Sequence, residues 1–172
     1  DVCSSDLHVE LCSELCRFQV KRSRHFHLEQ PNGSSMPQLP SFEPIHAMTE
    51  RVRFDMCMFG LKHPVSQKFL RKSSQVFSTD PVMAHGLSGA RCDHTHVHQL
   101  IEGSVSVQGH RMPLTRFCAS YCRGFATKVS SWMLKSVEQA YVGEHEDMPP
   151  AKRFRFTQSP HKRFKSNPAT DL

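Results

Sequence analysis

"VRFDMCMFGLKHPVSQKFLRKSSQVFST", residues 52–79, decides how this chain folds, because two β-patterned runs flank a turn. In the first run Val52, Phe54, Met56 and Met58 share one face and Arg53, Asp55 and Cys57 the other, the alternation of a half-buried strand. Gly60 closes that run. "KHPVSQKF" (62–69) supplies the turn, and "SSQVFST" (73–79) a second strand expected to lie antiparallel to the first.

Upstream, "HVELCSELCRFQV" sets Val9, Cys12, Leu15 and Cys16 on one stripe and predicts a helix over 8–21. In "RHFHLEQP" His25, His27 and Glu29 alternate with Phe26 and Leu28 until Pro31, so a short strand ends in a carboxylate. "NGSSMPQLPSFEP" carries a glycine and three prolines and is loop; "EPIHAMTERV" accommodates one short helix with Pro44 in its first turn. Downstream, "DPVMAHGL" predicts a capped helix, with Asp80 as N-cap, Pro81 first and Gly86 as the stop. Leu114, Phe117, Cys118, Tyr121, Phe125, Val129 and Trp132 recur at helical steps, predicting one long helix between Pro113 and Lys135. The order helix, strand, helix, two strands, Cys/His cluster, long helix suits an α/β sheet edge better than a helical bundle.

Both ends are set apart from this core. "DVCSSDL" matches a sequencing adapter translated in one frame, so residues 1–7 are expected to be an adapter-derived scar and the chain a fragment. Residues 136–172 are expected to be a disordered charged tail. From Pro149 onward Lys152, Arg153, Arg155, Lys162, Arg163 and Lys165 face only Asp171, a net +5 of the formal +6. Such a block binds polyanions by counterion release, serves nuclear import, or is simply a solvated linker. No run approaches the roughly 18 apolar residues of a membrane span, and no signal-peptide core occurs, so a nuclear or cytoplasmic, non-secreted protein is expected. Cys12 with Cys16, and Cys118 with Cys122, are four apart in helical patterns, which suits buried reduced thiols better than disulfides.

"RCDHTHVHQL" (91–100) concentrates the metal-ligating chemistry. Zinc takes four N/S donors in a tetrahedron, and structural sites draw them from two places in the chain. Cys92, His96 and His98 form one arm, with both imidazoles on one side of an extended segment. Cys57 is the best placed fourth donor, and His94 the substitute. Solvated or hydrogen-bonded histidines explain the cluster without a metal, and a catalytic role is the third reading.

The 54–79 stretch also carries a resemblance. D-x-C-x-[FY]-G, a variable turn, a basic pair entering a strand, then a Cys/His segment resembles the C-terminal part of divergent cytosine-carbon-5 DNA methyltransferase-like proteins of phages and protist retroelements. "HFHLEQP" is similar to their version of the Glu-Asn-Val motif, and "FCASYCRGFA" to their closing helix, over residues 8–135 in all. The resemblance implies a partial Rossmann-like methyltransferase sheet with a small Cys/His subregion. It implies Glu29 as the carboxylate that holds a flipped cytosine, and Arg71 and Lys72 as the basic pair near DNA. Ser74 and Gln75 depart from that family's Thr and Arg. The chain has no Gly-rich loop after a strand and no Pro-Pro-Cys, so S-adenosylmethionine and the attacking thiol would belong to the parent polypeptide. A fragment inactive alone but able to bind nucleic acid through Arg71, Lys72, Lys152, Arg153 and Arg155 is the leading expectation. A non-enzymatic zinc-stabilised nucleic-acid-binding module is the rival, and a decayed coding segment the third alternative.

Overall fold

A computed structural model describes residues 4–144, with side chains described for residues 7–141. Helix α1 (Ser4–Lys21) leads into strand β1 (His27–Pro31), two short 3-10 turns, helix α2 (Glu43–Met48) and strand β2 (Glu50–Asp55). Strands β3 (Phe69–Leu70) and β4 (Ser73–Ser78) precede helix α3 (Pro81–Ser88), strand β5 (His98–Gln99) and the hairpin of β6 (Ser104–Val107) and β7 (His110–Pro113). Helices α4 (Leu114–Phe117) and α5 (Arg123–Glu144) end the described chain. The protein is a mixed α/β fold.

The main sheet has the order β1-β4-β2 and is antiparallel throughout. The expected pairing of the 52–79 strands is present, with Val52 opposite Val76 and Phe54 opposite Ser74. The register gives each face its own core. Val52, Phe54 and Val76 pack on one side with Met83, Leu87, Leu114 and Phe125. Phe77 lies on the other with Val9, Cys16, Phe26, Phe42 and Ile45. Phe42, Phe54 and Phe77 are fully buried, each contributing about 1.5–3 kcal/mol. The β1 strand carrying Glu29 is at the sheet's edge among the described strands, and β4 is central. Among the described residues parallel pairing occurs only between the two-residue strands β3 and β5, so the parallel sheet of a Rossmann-like domain is not part of what is described.

Several elements differ from expectation. The first β run stops at Asp55; Met56–Phe59 is a 3-10 turn capped by Gly60 at φ 83°. The turn keeps Met56 buried but rotates Cys57 inward and leaves Met58 exposed, reversing the faces that alternation assigned to those two residues. Gly86 does not end α3, which continues to Ser88. The long helix of 113–135 is broken: α4 ends at Phe117, Cys118 caps it, and α5 starts at Arg123. Cys118 and Cys122 therefore do not share a continuous helix. Residues 136–144, expected as tail, belong to α5, and α1 starts inside the stretch set aside as 1–7. Lys152, Arg153 and Arg155 lie outside the described residues.

Candidate metal centre

Cys57, Cys92, His96 and His98 come together, with one ligand atom from each within 4.8 Å of all the others. These are the four residues nominated from sequence. Their donors come from two chain segments, the 3-10 turn after β2 and the 92–98 stretch that ends in β5.

Local structure explains the convergence. Asp55 is the last residue of β2 and is 1% exposed. Its Oδ2 accepts the Cys92 backbone N–H at 2.9 Å, its Oδ1 accepts the Ser73 hydroxyl, and its own N–H donates to Ala90 O at 2.9 Å. Arg71 and Arg91 approach the same carboxylate, each at 3.8 Å. Burial raises the Asp55 pKa, but these donors and cations outweigh it and hold the carboxyl below its ordinary range. This carboxylate anchor thus fixes Cys92 beside Cys57. His94, at φ 61°, turns the chain back toward Cys92 and donates its N–H to the Cys92 sulfur at 3.4 Å. A non-glycine residue accepts that backbone only at a cost of about 1–2 kcal/mol. Pairing of β3 with β5 sets His98 opposite Phe69, whose ring lies 4.1 Å from that of His96.

The two Cys92–histidine distances suit a tetrahedral ion. With Zn–S near 2.3 Å and Zn–N near 2.0–2.1 Å, S···N edges of a tetrahedron are about 3.5–3.6 Å. Cys92 Sγ lies 3.5 Å from His98 Nε2 and 3.8 Å from His96 Nε2. Desolvation first, then the neighbouring His96 and His94, lowers the His98 pKa and favours the neutral imidazole that ligates metal. Burial above all, with the adjacent Cys92 thiol, pushes Cys57 up to about 12. Without a cation Cys57 therefore stays a thiol, and a divalent ion would have to displace its proton. His94, weighed as a substitute, is not one of the four converging donors.

The other nominated residues are placed elsewhere. Glu29 lies on the face of β1 that carries Val76 in β4, and its Oε2 accepts the Tyr121 hydroxyl at 3.0 Å. Its Oε1 is buried without a protein partner. Lys72 donates to Cys118 O at 3.0 Å and lies 6.0 Å from the Tyr121 ring centroid. Arg71 is engaged with Asp55. Glu29 is thus brought to Lys72 through Tyr121, and Arg71 belongs to the metal cluster's surroundings. The residues present do not fit S-adenosylmethionine: "GLSGA" lies in α3 and its end, with Gly86 packed on Trp132. Sequence reasoning missed Asp55, read as strand surface, and Tyr121, read as one residue of a helical stripe. A buried carboxylate two residues before a ligand cysteine leaves no signature in a single sequence.

Compared with protein-family models, with curated proteins and with solved structures, the chain matches none.

Proposed function

We propose that the chain is a non-enzymatic binding module in which Cys57, Cys92, His96 and His98 hold a structural Zn²⁺ and nucleic acid is the partner. The observation that carries this reading is the convergence of two thiols and two imidazoles, from two segments, within 4.8 Å of one another. Four protein donors saturate zinc and leave no open position for substrate, as structural sites do. Structural zinc contributes an apparent ~10–16 kcal/mol, comparable to the ~5–15 kcal/mol stability of a whole domain. The ion would therefore decide whether the loop from Arg91 to Leu100 is ordered. The formal charge of +6, of which +5 lies from Pro149 onward, supports a nucleic-acid partner through that basic stretch.

Metal analysis of the purified chain tests the proposal. One zinc per chain is expected, lost in Cys92→Ala and His96→Ala, with gel shifts of DNA weakened by chelation. A folded chain that holds no metal at any zinc concentration refutes it.

A second reading, the C-terminal part of a cytosine-methyltransferase-like protein, draws support from one observation. Glu29 keeps Oε1 buried and unpartnered, as a carboxylate reserved for a base would. Coding sequence upstream of residue 1 would then supply a Gly-rich strand–turn–helix and a Pro-Cys loop, and finding neither there removes that reading.

A further inference from the structure

On the opposite face of the sheet from Glu29, a cleft of about 410 Å³ opens between β2, α2 and the loop after β1. Arg51, Arg53, His46, Asn32 and Ser34 line it, with no carboxylate among its lining residues. Arg51 and Arg53 are two apart on β2, so both side chains leave the same face. Arg51 is held in place: its Nε donates to Gln75 Oε1 at 2.8 Å, and Gln75 is 1% exposed. That bond uses Nε and leaves the terminal guanidinium nitrogens free for a ligand. Among the described residues no ion pair joins Arg51 or Arg53 to a carboxylate, whereas Arg71 and Arg91 both approach Asp55. His46 Nε2 lies 2.8 Å from Pro37 O, a carbonyl that can only accept, so that nitrogen carries the proton and ties α2 to the loop. Asn32 and Ser34 close the side of the cleft formed by the loop after β1.

Two uncompensated guanidiniums converging on a cleft, one of them pre-oriented by a buried amide, form the fork that phosphate oxygens fit. The volume falls in the range of small-molecule sites, about 300–1,000 Å³. One cation pair in a walled cleft favours a compact ligand over a tracked polymer backbone. We propose that this cleft binds a small phosphate ester of nucleotide size, with Arg51 and Arg53 on the phosphate. This site does not depend on the zinc reading, since none of its lining residues belongs to the metal cluster.

The test is titration of the ¹⁵N-labelled full chain with AMP, inorganic phosphate and adenosine, following the arginine Nε–H signals by NMR. AMP is expected to shift Arg51 and Arg53, phosphate to shift them more weakly, and adenosine to leave them in place. Arg53→Gln, a substitution at an exposed side chain, should weaken AMP tenfold or more; Arg53→Lys should give an intermediate loss. Lys62→Gln, in a separate cleft, should change nothing. AMP binding that survives Arg53→Gln belongs to the basic residues beyond 148 and overturns the proposal. So does saturation of both arginine signals by an oligonucleotide that AMP cannot displace, because the ligand would then be a nucleic-acid backbone.

Discussion

Tyr121 is 52% exposed, yet its hydroxyl donates to Glu29 across the face of the sheet that also carries Phe125. Burial first, then the Glu29 charge and the hydrogen bond to it, raise its pKa from 10.0 to about 12. The folded state therefore keeps the phenol proton more tightly than the unfolded state does. Stability tied to Tyr121 is full below pH 10 and falls as pH rises toward about 12. In a Tyr141→Phe background, tyrosinate absorbance should show a single titration near pH 12. Glu29→Gln should lower that midpoint, because it removes the charge while burial remains. A midpoint unmoved by Glu29→Gln would dissociate the pair. The same reasoning on Cys57 and Asp55 explains the cluster: one group is held neutral by burial, and its neighbour is held charged by donors and two arginines.

At the level of elements, two glycines set how closely helices approach. A Cβ on Gly86 of α3 would fall within the Trp132 indole, 2.7 Å from Cδ2. A Cβ on Gly124, in the first turn of α5, would collide with the Phe59 carbonyl, reaching its carbon at 3.1 Å. In an exposed helix Gly→Ala stabilises by about 1 kcal/mol; here overpacking at about 1–3 kcal/mol opposes it. Gly86→Ala should destabilise slightly, because Trp132 is partly exposed and can swing aside. Gly124→Ala should cost at least 2 kcal/mol (order of magnitude), because backbone cannot yield so easily. Urea unfolding of the two variants checks the order; equal or reversed effects would mean that α5 is free to slide. The break before α5 has the same origin. Placing Gly124 against Phe59 and Cys122 Sγ within 3.5 Å of Phe59 O requires α5 to start its own axis. The β6–β7 hairpin turns at Gln108 and Gly109, with φ 52° and 80°. A Gln-Gly pair is a weaker hairpin signal than Asn-Gly, which is why this turn went unread.

Across the whole molecule, both faces of the sheet are covered, but α1 keeps an apolar stripe in solvent. Leu7, Leu11, Leu15 and Phe18 are 48–58% exposed at steps of three and four residues, while Val9 and Cys16 of the same helix are buried. No helix among the described residues is long and apolar enough to cross a membrane. A stripe of this kind drives self-association. Leu11→Glu with Leu15→Lys should raise the soluble, monomeric fraction in light scattering while leaving the thermal midpoint within about 2 °C, since neither side chain is buried. A large fall in the midpoint would show that the stripe packs against something in the folded chain.

Alternation and capping made the 52–79 strand pair and the Pro44 and Asp80 helix starts legible, because each depends on neighbours a few residues away; the four Cys/His donors were legible by residue type. Spacing alone put His96 and His98 on one side, and residue type alone named Cys92 and Cys57 as partners. What only the tertiary structure decided is where long-range packing overrides local pattern. Asp55 is buried because Ser73, Cys92 and two arginines close around it; α5 is cut from α4 by contact with Phe59. Arg51 and Arg53 form a cleft only because the loop from Asn32 folds back over β2. Contacts between residues tens of positions apart leave no periodicity in the chain, so single-sequence reading sees the donors but not the pocket.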